Sequence, residues 1–600
     1  MASACTVTRR GAIAGLGCAL ATAGLGIGTA WADEAQANGK SDAATRSDEV
    51  AIVFSGDSIM VDGTAISEDE SEHVYLAHDV VYYEDRDEYD SGNPYGEGSD
   101  DERHSAEDAA AVSVVHIGAA GTYRLSGSID AGQVWVDLGD DAAEDESAKV
   151  TLVFDGLDIT CGVAPAVVFH NVYECDGSWS TDTATSEVDT SEAGAVVVIA
   201  DGSVNNVTGS HVARIYKDND EQKKLWKIDG AFYSFMSMNM EGEGDGTGVL
   251  NIVADNEGLD SELHLTVNGG NIAIESGDDG INTNEDGVSV TTVNGGTLHI
   301  VAGLGDEGDG IDSNGFLVIN GGTIISMANP RSDSGLDSDM GSYINGGTVV
   351  ALGSTMDWAE SDSDQVTMNL QFASSQDAGD AIAVCNEAGE VVFAYDPSED
   401  ETASGKTRSY TGAVLSCANF EVGQTYSVYV GGTVSGQETQ GVYDVETVTG
   451  YEGGTQQAYT GTDVQQSPGG FGGPAGGMVP GGQPGEGQPG EPPAGEGDKP
   501  AEGQEPPEAP EGAAGSQQPG QSGEGDAQSG GQTTSEPPTR PESNESGEPS
   551  VLSDGTAPTS PQGEGQPDGS ASASDSDTEP STEFYMQDKV NAFSGVTAAA

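Results

Sequence analysis

Four short motifs carry the residues best suited to chemistry: Glu257-Gly258-Leu259-Asp260, Asp279-Gly280-Ile281-Asn282, Asp309-Gly310-Ile311-Asp312 and Ser334-Gly335-Leu336-Asp337. Each ends on a carboxylate or amide. Two residues later stand Glu262, Asn284, Asn314 and Asp339, which a strand would direct to the same face. Asp278, Asp306 and Glu307 crowd the same corner. If the motifs stack, carboxylates about 5 Å apart at an effective dielectric of about 20 repel by roughly 3 kcal/mol, so the column needs a counter-charge. Between Gly230 and Asp364 the only basic residue is Arg331. A divalent cation is the remaining source. Calcium suits the donors because it accepts about six to eight oxygens from carboxylates, amides and carbonyls, whereas magnesium demands stricter octahedral geometry and zinc prefers Cys and His. The expected ligands are Asp260, Asp279, Asn282, Asp309, Asp312, Asp337 and Asp339, with a solvated acidic face and diffuse counter-ions as the alternative.

Catalytic readings have less to draw on. Calcium-assisted β-elimination of a uronan needs a base for the proton alpha to the carboxylate, and Arg331 is the one Arg or Lys inside the repeats. Hydrolysis needs two carboxylates at a defined separation, and a chain this acidic singles out no pair. His264 and His299 fall in strand segments, where a packed histidine is expected rather than a catalytic one. No catalytic residue is assigned, and a polysaccharide lyase is kept as an alternative.

The elements that must position the motifs follow from a repeat. Asn-Gly-Gly recurs at Asn268, Asn294, Asn320 and Asn345, in steps of 26, 26 and 25, and is followed each time by a short apolar stretch: NIAIES, TLHIVA, TIISMA and TVVALG. These stretches are short, β-branched, alternate with period two and are separated by Gly-rich turns, so they are strands and not the helix pairs of helical arrays. Two interleaved motifs on one period fit an all-β fold, a parallel β-helix solenoid in which Asn-Gly-Gly turns the corners. Upstream segments such as GTYRLSGSI, GQVWVDL and AKVTLVFDGLDITCG share the strand–turn grain, which extends the β-helix over 112–363. Residues 364–466 lose the period and read as a small antiparallel β domain that covers the last open strand edges.

The order GTYRLSGSIDAGQVWVD, VTLVFDGLDIT, IADGSVNNVTG and then the Asp-Gly-Ile and Asn-Gly-Gly repeats resembles the Cthe_2159 family of secreted carbohydrate-binding β-helix proteins, over roughly residues 110–450. The resemblance implies a right-handed parallel β-helix that binds calcium and an acidic polysaccharide such as polygalacturonate, related in shape to pectate lyases but acting as a binding module. The insertion from Tyr173 to Ser191 and the KDNDEQKKLWK stretch depart from that pattern. In such a module a cation would bridge the protein carboxylates to a uronate. Trp226, Phe232, Tyr233 and Trp358 would stack on sugars or cover the ends of the core. The Arg214, Lys217, Lys223, Lys224 and Lys227 cluster would attract uronates or pair with the acidic repeats.

Composition sets the boundaries around this core. Asp and Glu number 102 against 19 Lys and Arg, a formal charge of −83, which opposes binding to phosphate backbones or anionic lipid. Nucleic-acid and membrane-surface partners are therefore excluded, and a monomer is expected. Residues 1–32 read as an export leader: Arg9 and Arg10 precede an apolar Gly/Ala-rich stretch that ends in Ala30-Trp31-Ala32. Thr8-Arg9-Arg10 resembles the twin-arginine signal, the Sec route being the alternative, and a secreted or cell-surface protein is expected. Residues 33–111 form an acidic N-terminal segment and cap. Residues 467–580 are Pro, Gly, Ser, Gln and Glu with almost nothing to bury, a disordered linker. The terminal 581–600 regains Phe, Tyr, Met and Val and either docks or is a less polar tail; truncation at Gln466 is expected to leave folding intact. Beyond the leader, four cysteines form two close pairs, Cys161 with Cys175 and Cys385 with Cys417. Two local disulfides or four buried thiols are the readings. The leading function is calcium-dependent, non-catalytic binding of acidic polysaccharide; the alternatives are a calcium-stiffened structural or adhesive surface protein and a lyase.

Overall fold

The computed structural model describes residues 49–56, 58–86, 104–177, 180–181, 183–216, 228–305, 307–354, 357–397, 408–463 and 580–600. The leader, most of the linker, Asp306, Trp226 and the lysines of KDNDEQKKLWK lie outside them. Each repeat from Glu257 onward contributes one strand to each of three parallel ladders. The first runs Gly230–Ser234, Glu257–Ser261, Ile281–Thr283, Ile311–Ser313 and Asp337–Ser338. The second runs Met238–Gly242, Leu265–Val267, Val290–Val293, Phe316–Ile319 and Gly341–Ile344. The third runs Val249–Ala254, Asn271–Ser276, Thr297–Val301, Thr323–Met327 and Thr348–Gly353. Upstream strands extend all three, and the first reaches Val74–Ala77, whose pairing with Ser113–Ile117 is antiparallel. The chain is thus all-β with long parallel sheets, consistent with a β-helix.

Strand alternation makes one core from the three ladders. Leu259, Ile281, Ile311 and Leu336 from the first, Leu265, Val267, Val293, Leu317 and Ile319 from the second, and Ile272, Ile274, Leu298, Ile300 and Ile324 from the third bury together. The Asn-Gly-Gly corners work through their second glycine, as at Gly296 with φ +81°, a conformation that a β-carbon disfavours. Their asparagines stack as an amide ladder: Asn294, Asn320 and Asn345 each donate Nδ2 to the Oδ1 one repeat back, at 2.9–3.0 Å. At the acidic corner the constraint is space. A β-carbon on Gly280 would lie 2.5 Å from the Gly310 carbonyl oxygen, so glycine there lets adjacent repeats approach.

The segment after Val172 lies along the outer face of the second ladder. Glu174 accepts from the Ser237 backbone at 2.7 Å, Thr190 meets Thr266 at 2.7 Å, and Asn239 donates to the Thr190 carbonyl at 2.7 Å. His264 is buried there, 3.3 Å from Asp176 and accepting from the Val290 amide, and His299 is also buried, so both histidines are packed side chains.

Beyond Gly353 the chain turns back. Tyr410–Ser416 pairs antiparallel with Thr348–Gly353 and covers the edge of the third ladder. Outward-facing Val301, Ile325, Met327, Val350 and Leu352 of that ladder bury in the core of this second region. The region is mixed rather than purely antiparallel, because Val590–Ala598 pairs in parallel with Thr367–Gln376. Phe584, Met586, Phe593 and Val596 are buried in the same core. The C-terminal strand is therefore part of the described fold, which is the docking alternative for 581–600. Among the described residues no helix is long and apolar enough to cross a membrane.

The cysteines correct the disulfide reading. Among the described residues Cys161, Cys175 and Cys417 carry free thiols, so neither expected pair is bridged. Cys161 sits inside the main core, whereas Cys175 lies outside it beside Glu174 and Ser237. Along Ile382–Asn386, Ile382 and Val384 face the core that holds Cys417, while Cys385 faces the opposite cluster with Ala383. Cys385 and Cys417 thus lie in different clusters despite their nearness in sequence.

Candidate metal centre

The first ladder sets Asp260 opposite Asn282, Asn282 opposite Asp312, and Asp312 opposite Asp337, the column that the motif spacing predicts. Because Leu259, Ile281, Ile311 and Leu336 point into the core, these four point outward on strands about 4.8 Å apart. Amides interleave with the acids. Asn284 donates to Asp260 Oδ1 at 2.8 Å, Asn314 to Asn282 Oδ1 at 3.0 Å, and Asn282 to Glu257 Oε1 at 3.0 Å.

At one end of the column the acids draw together. Asp229, Glu257 and Asp260 are buried, and each offers a carboxylate oxygen within 4.8 Å of the others. Asn256 donates to Asp229 Oδ2 at 2.9 Å. Asp260 Oδ2 is buried with no hydrogen-bond partner, a position that a native structure usually fills with a water or an ion. Burial, then the charges of Glu257 and Asp229, push the Asp260 carboxyl well above the usual carboxylate range. Three buried carboxylates and no nitrogen or sulfur make a donor set for a hard cation. This triad could hold a metal.

The remaining expected ligands form a seam along the same edge. Asp279 and Asp309 stand at the corner beside the column, with the Asp309 amide donating to Asp279 Oδ1 at 2.7 Å and the Ser334 amide donating to Asp309. Burial raises both carboxyls strongly, Asp279 next by Asp278 and Asp312, and Asp309 next by Asp337 and Asp312. Asp337 is raised by burial and by Asp339, and Asp339 by burial and by Asp286. Asp357, from the segment that follows the last repeat, is pushed up to about 7 by burial and then by Asp337.

Sequence reasoning named seven of these residues and omitted Asp229, Glu257 and Asp357. Glu257 opens a motif already recognised; Asp229 precedes Gly230, which stands opposite Glu257 one repeat upstream, where Phe232 takes the place of Leu259. Asp357 lies outside the repeat and carries no periodic mark.

Upstream of Asp260 the outward column turns aromatic. Asp260 stands opposite Tyr233, Tyr233 opposite Val168, Val168 opposite Trp135, Trp135 opposite His116, and His116 opposite Tyr75. Tyr75 and His116 stack at 4.6 Å, Trp135 and His170 lie 5.1 Å apart, and Phe235 contacts both His170 at 4.8 Å and Tyr233 at 5.0 Å. Trp135 and Phe235 are partly exposed, whereas Phe232 and Tyr233 are fully buried. Of the aromatics expected to stack on sugars or cover the ends of the core, these last two are core. The Tyr233 hydroxyl donates to Glu262, which ties the aromatic belt to the acidic seam.

Two arginines converge beside the seam. Arg408 Nη1 donates to the Ala302 carbonyl at 3.0 Å and to that of Gly303, and Asn329, which also donates to the Gly303 carbonyl, accepts from the Arg331 amide at 3.1 Å. Burial and then the nearby Arg331 charge lower the Arg408 pKa.

Comparison with known proteins places the middle of the chain. Residues 112–396 match the family described as carbohydrate-binding domain-containing protein. No curated protein matches the chain. Among solved structures, a chain described as the polysaccharide lyase-like protein from C. thermocellum, a gadolinium derivative, is similar at 20% identity over 50% of this chain and 92% of that one, with a TM-score of 0.29.

Proposed function

We propose, from a chain whose residues 112–396 match the family of carbohydrate-binding domain-containing proteins, a secreted or cell-surface protein that binds acidic polysaccharide, such as polygalacturonate, through calcium and without catalysis. In this reading the three ladders wind as one right-handed parallel β-helix, and the polymer lies along the outer face of its first ladder. Asp229, Glu257 and Asp260 hold a buried cation that offsets their charge, and the less buried Asp312, Asp337 and Asp339 of the same edge hold calcium whose open coordination positions accept a uronate carboxylate. Trp135 and Phe235 offer ring faces to the sugars next to it. The carrying observation is Asp260 Oδ2, buried without a partner amid carboxylates.

The test is retention of the purified chain on immobilised polygalacturonate with calcium or with a chelator. Calcium-dependent retention that W135A weakens while the chain stays folded at the assay temperature supports the proposal; equal retention in chelator, or none in calcium, overturns it. The paired Arg331 and Arg408 favour one competing reading, a calcium-assisted lyase with an arginine base. Release of unsaturated oligosaccharide, lost in R408Q, would establish that reading instead.

A further inference from the structure

A second cluster of ligand-type side chains, beside the acidic triad, has different chemistry. His104 precedes the short helix Ala106–Ala109, His211 lies between Val204–Gly209 and Ala213–Tyr216, and Asp255 follows Val249–Ala254. Folding brings one ring nitrogen of each histidine and a carboxylate oxygen of Asp255 within 4.8 Å of one another. The imidazole rings are 4.7 Å apart at 49°. His211 Nδ1 is 3.4 Å from Asp255 Oδ2, long for a charge-assisted hydrogen bond. It equals the spacing of two ligands on one tetrahedral ion, because bonds of about 2.0–2.2 Å put such atoms about 3.3–3.5 Å apart.

We propose that His104, His211 and Asp255 form a binding site for a transition-metal ion of the zinc class, separate from the all-oxygen calcium site. Two imidazoles with one carboxylate select zinc, cobalt or nickel over calcium and magnesium. The surroundings support the assignment. Ser210, itself buried, donates to Asp255 Oδ2 at 2.6 Å, the kind of contact that orients a ligating carboxylate. His104 Nε2 lies 3.1 Å from both Ser210 Oγ and the His211 carbonyl, contacts it exchanges for the ion. The three residues are separated by 107 and 44 positions, so the ion would fasten the segment before the first strands of the 112–396 domain to two strands of the third ladder.

The experiment uses the full mature chain without a histidine tag and saturated with calcium, so that the acidic site is already occupied. Titration with zinc should show one site, and cobalt in its place should give the intense visible bands of a tetrahedral ion. H104A/H211A should abolish both signals, and S210A should weaken zinc about tenfold or more. Unchanged zinc binding in H104A/H211A overturns the proposal. If that variant fails to fold, the unmodified chain decides: a weak octahedral cobalt spectrum, or no zinc uptake, overturns it equally. Neither outcome bears on calcium-dependent sugar binding, which is read in the absence of zinc.

Discussion

Asp357 gives the acidic seam a measurable cost. Its carboxyl is pushed up to about 7 by burial and then by Asp337, while the hydroxyls of Ser338 and Ser342, which donate to it at 2.9 and 3.0 Å, pull it partly back. In the unfolded chain the same group ionises near 3.8. Between about pH 4 and pH 7 the folded chain therefore keeps a proton that the unfolded chain has released, and stability falls as pH rises through that window. About three pKa units at 1.36 kcal/mol each put the loss near 4 kcal/mol, as an order of magnitude. Asp357→Asn keeps an acceptor for both hydroxyls and carries no charge. In the metal-free chain it should match the parent at pH 4 and exceed it by about 2–4 kcal/mol at pH 8. Denaturant midpoints in chelator at pH 4, 6 and 8 measure this. An advantage of D357N as large at pH 4 as at pH 8, or none at pH 8, would refute the reasoning.

Chelation of the calcium-loaded chain should lower its melting temperature by roughly 5–10 °C, because an ion at 100 times its dissociation constant contributes about 2.7 kcal/mol; a melt that does not move would remove calcium from the account. Asp312→Asn with Asp337→Asn should weaken polygalacturonate binding and spare a neutral glucan, whereas tighter binding would mean that the column is only a repulsive solvated face. Ending the chain at Gln466 removes Phe584, Phe593 and Val596 from a buried core, so the truncated protein should lose the cooperative melt of the 364–463 region; an unaltered melt would show that the strand is dispensable. Raising sodium chloride toward 1 M should stabilise the metal-free chain less than millimolar calcium does, since buried charges are poorly screened, and equal effects would favour diffuse counter-ions.

Much of this arrangement is legible in sequence because a stacked repeat turns spacing into contact. Once Asp260, Asn282, Asp312 and Asp337 share a place in the motif, parallel pairing puts them in one column, and the ladder does so. The same logic supplies the core from Ile281, Ile311 and Leu336. What lies outside the period is not legible. Asp357 and the C-terminal strand reach their partners through loops and a long linker, and no local pattern specifies where such a segment lands. Strand sidedness defeated the cysteine pairing, since Cys385 and its neighbour Val384 face opposite clusters. Phe232 and Tyr233 were expected either to stack on sugars or to cover the ends of the core, and the ladder continues through them and buries both.

The case for a cation rests on where the charge sits rather than on its total. A net charge of −83 is tolerable when most carboxylates face water, and exposed Asp or Glu needs only diffuse counter-ions. Asp229, Glu257 and Asp260 are different because they are buried within 4.8 Å of one another. Their charged forms lose hydration and gain mutual repulsion, so without an ion the chain can fold around them only by keeping protons on the cluster. At neutral pH a divalent cation removes that requirement and supplies the partner that Asp260 Oδ2 lacks. It also changes what the surface presents. The same edge that repels an anionic polymer when metal-free would offer it a ligand position when loaded, so calcium would govern folding stability and polysaccharide binding along one acidic column.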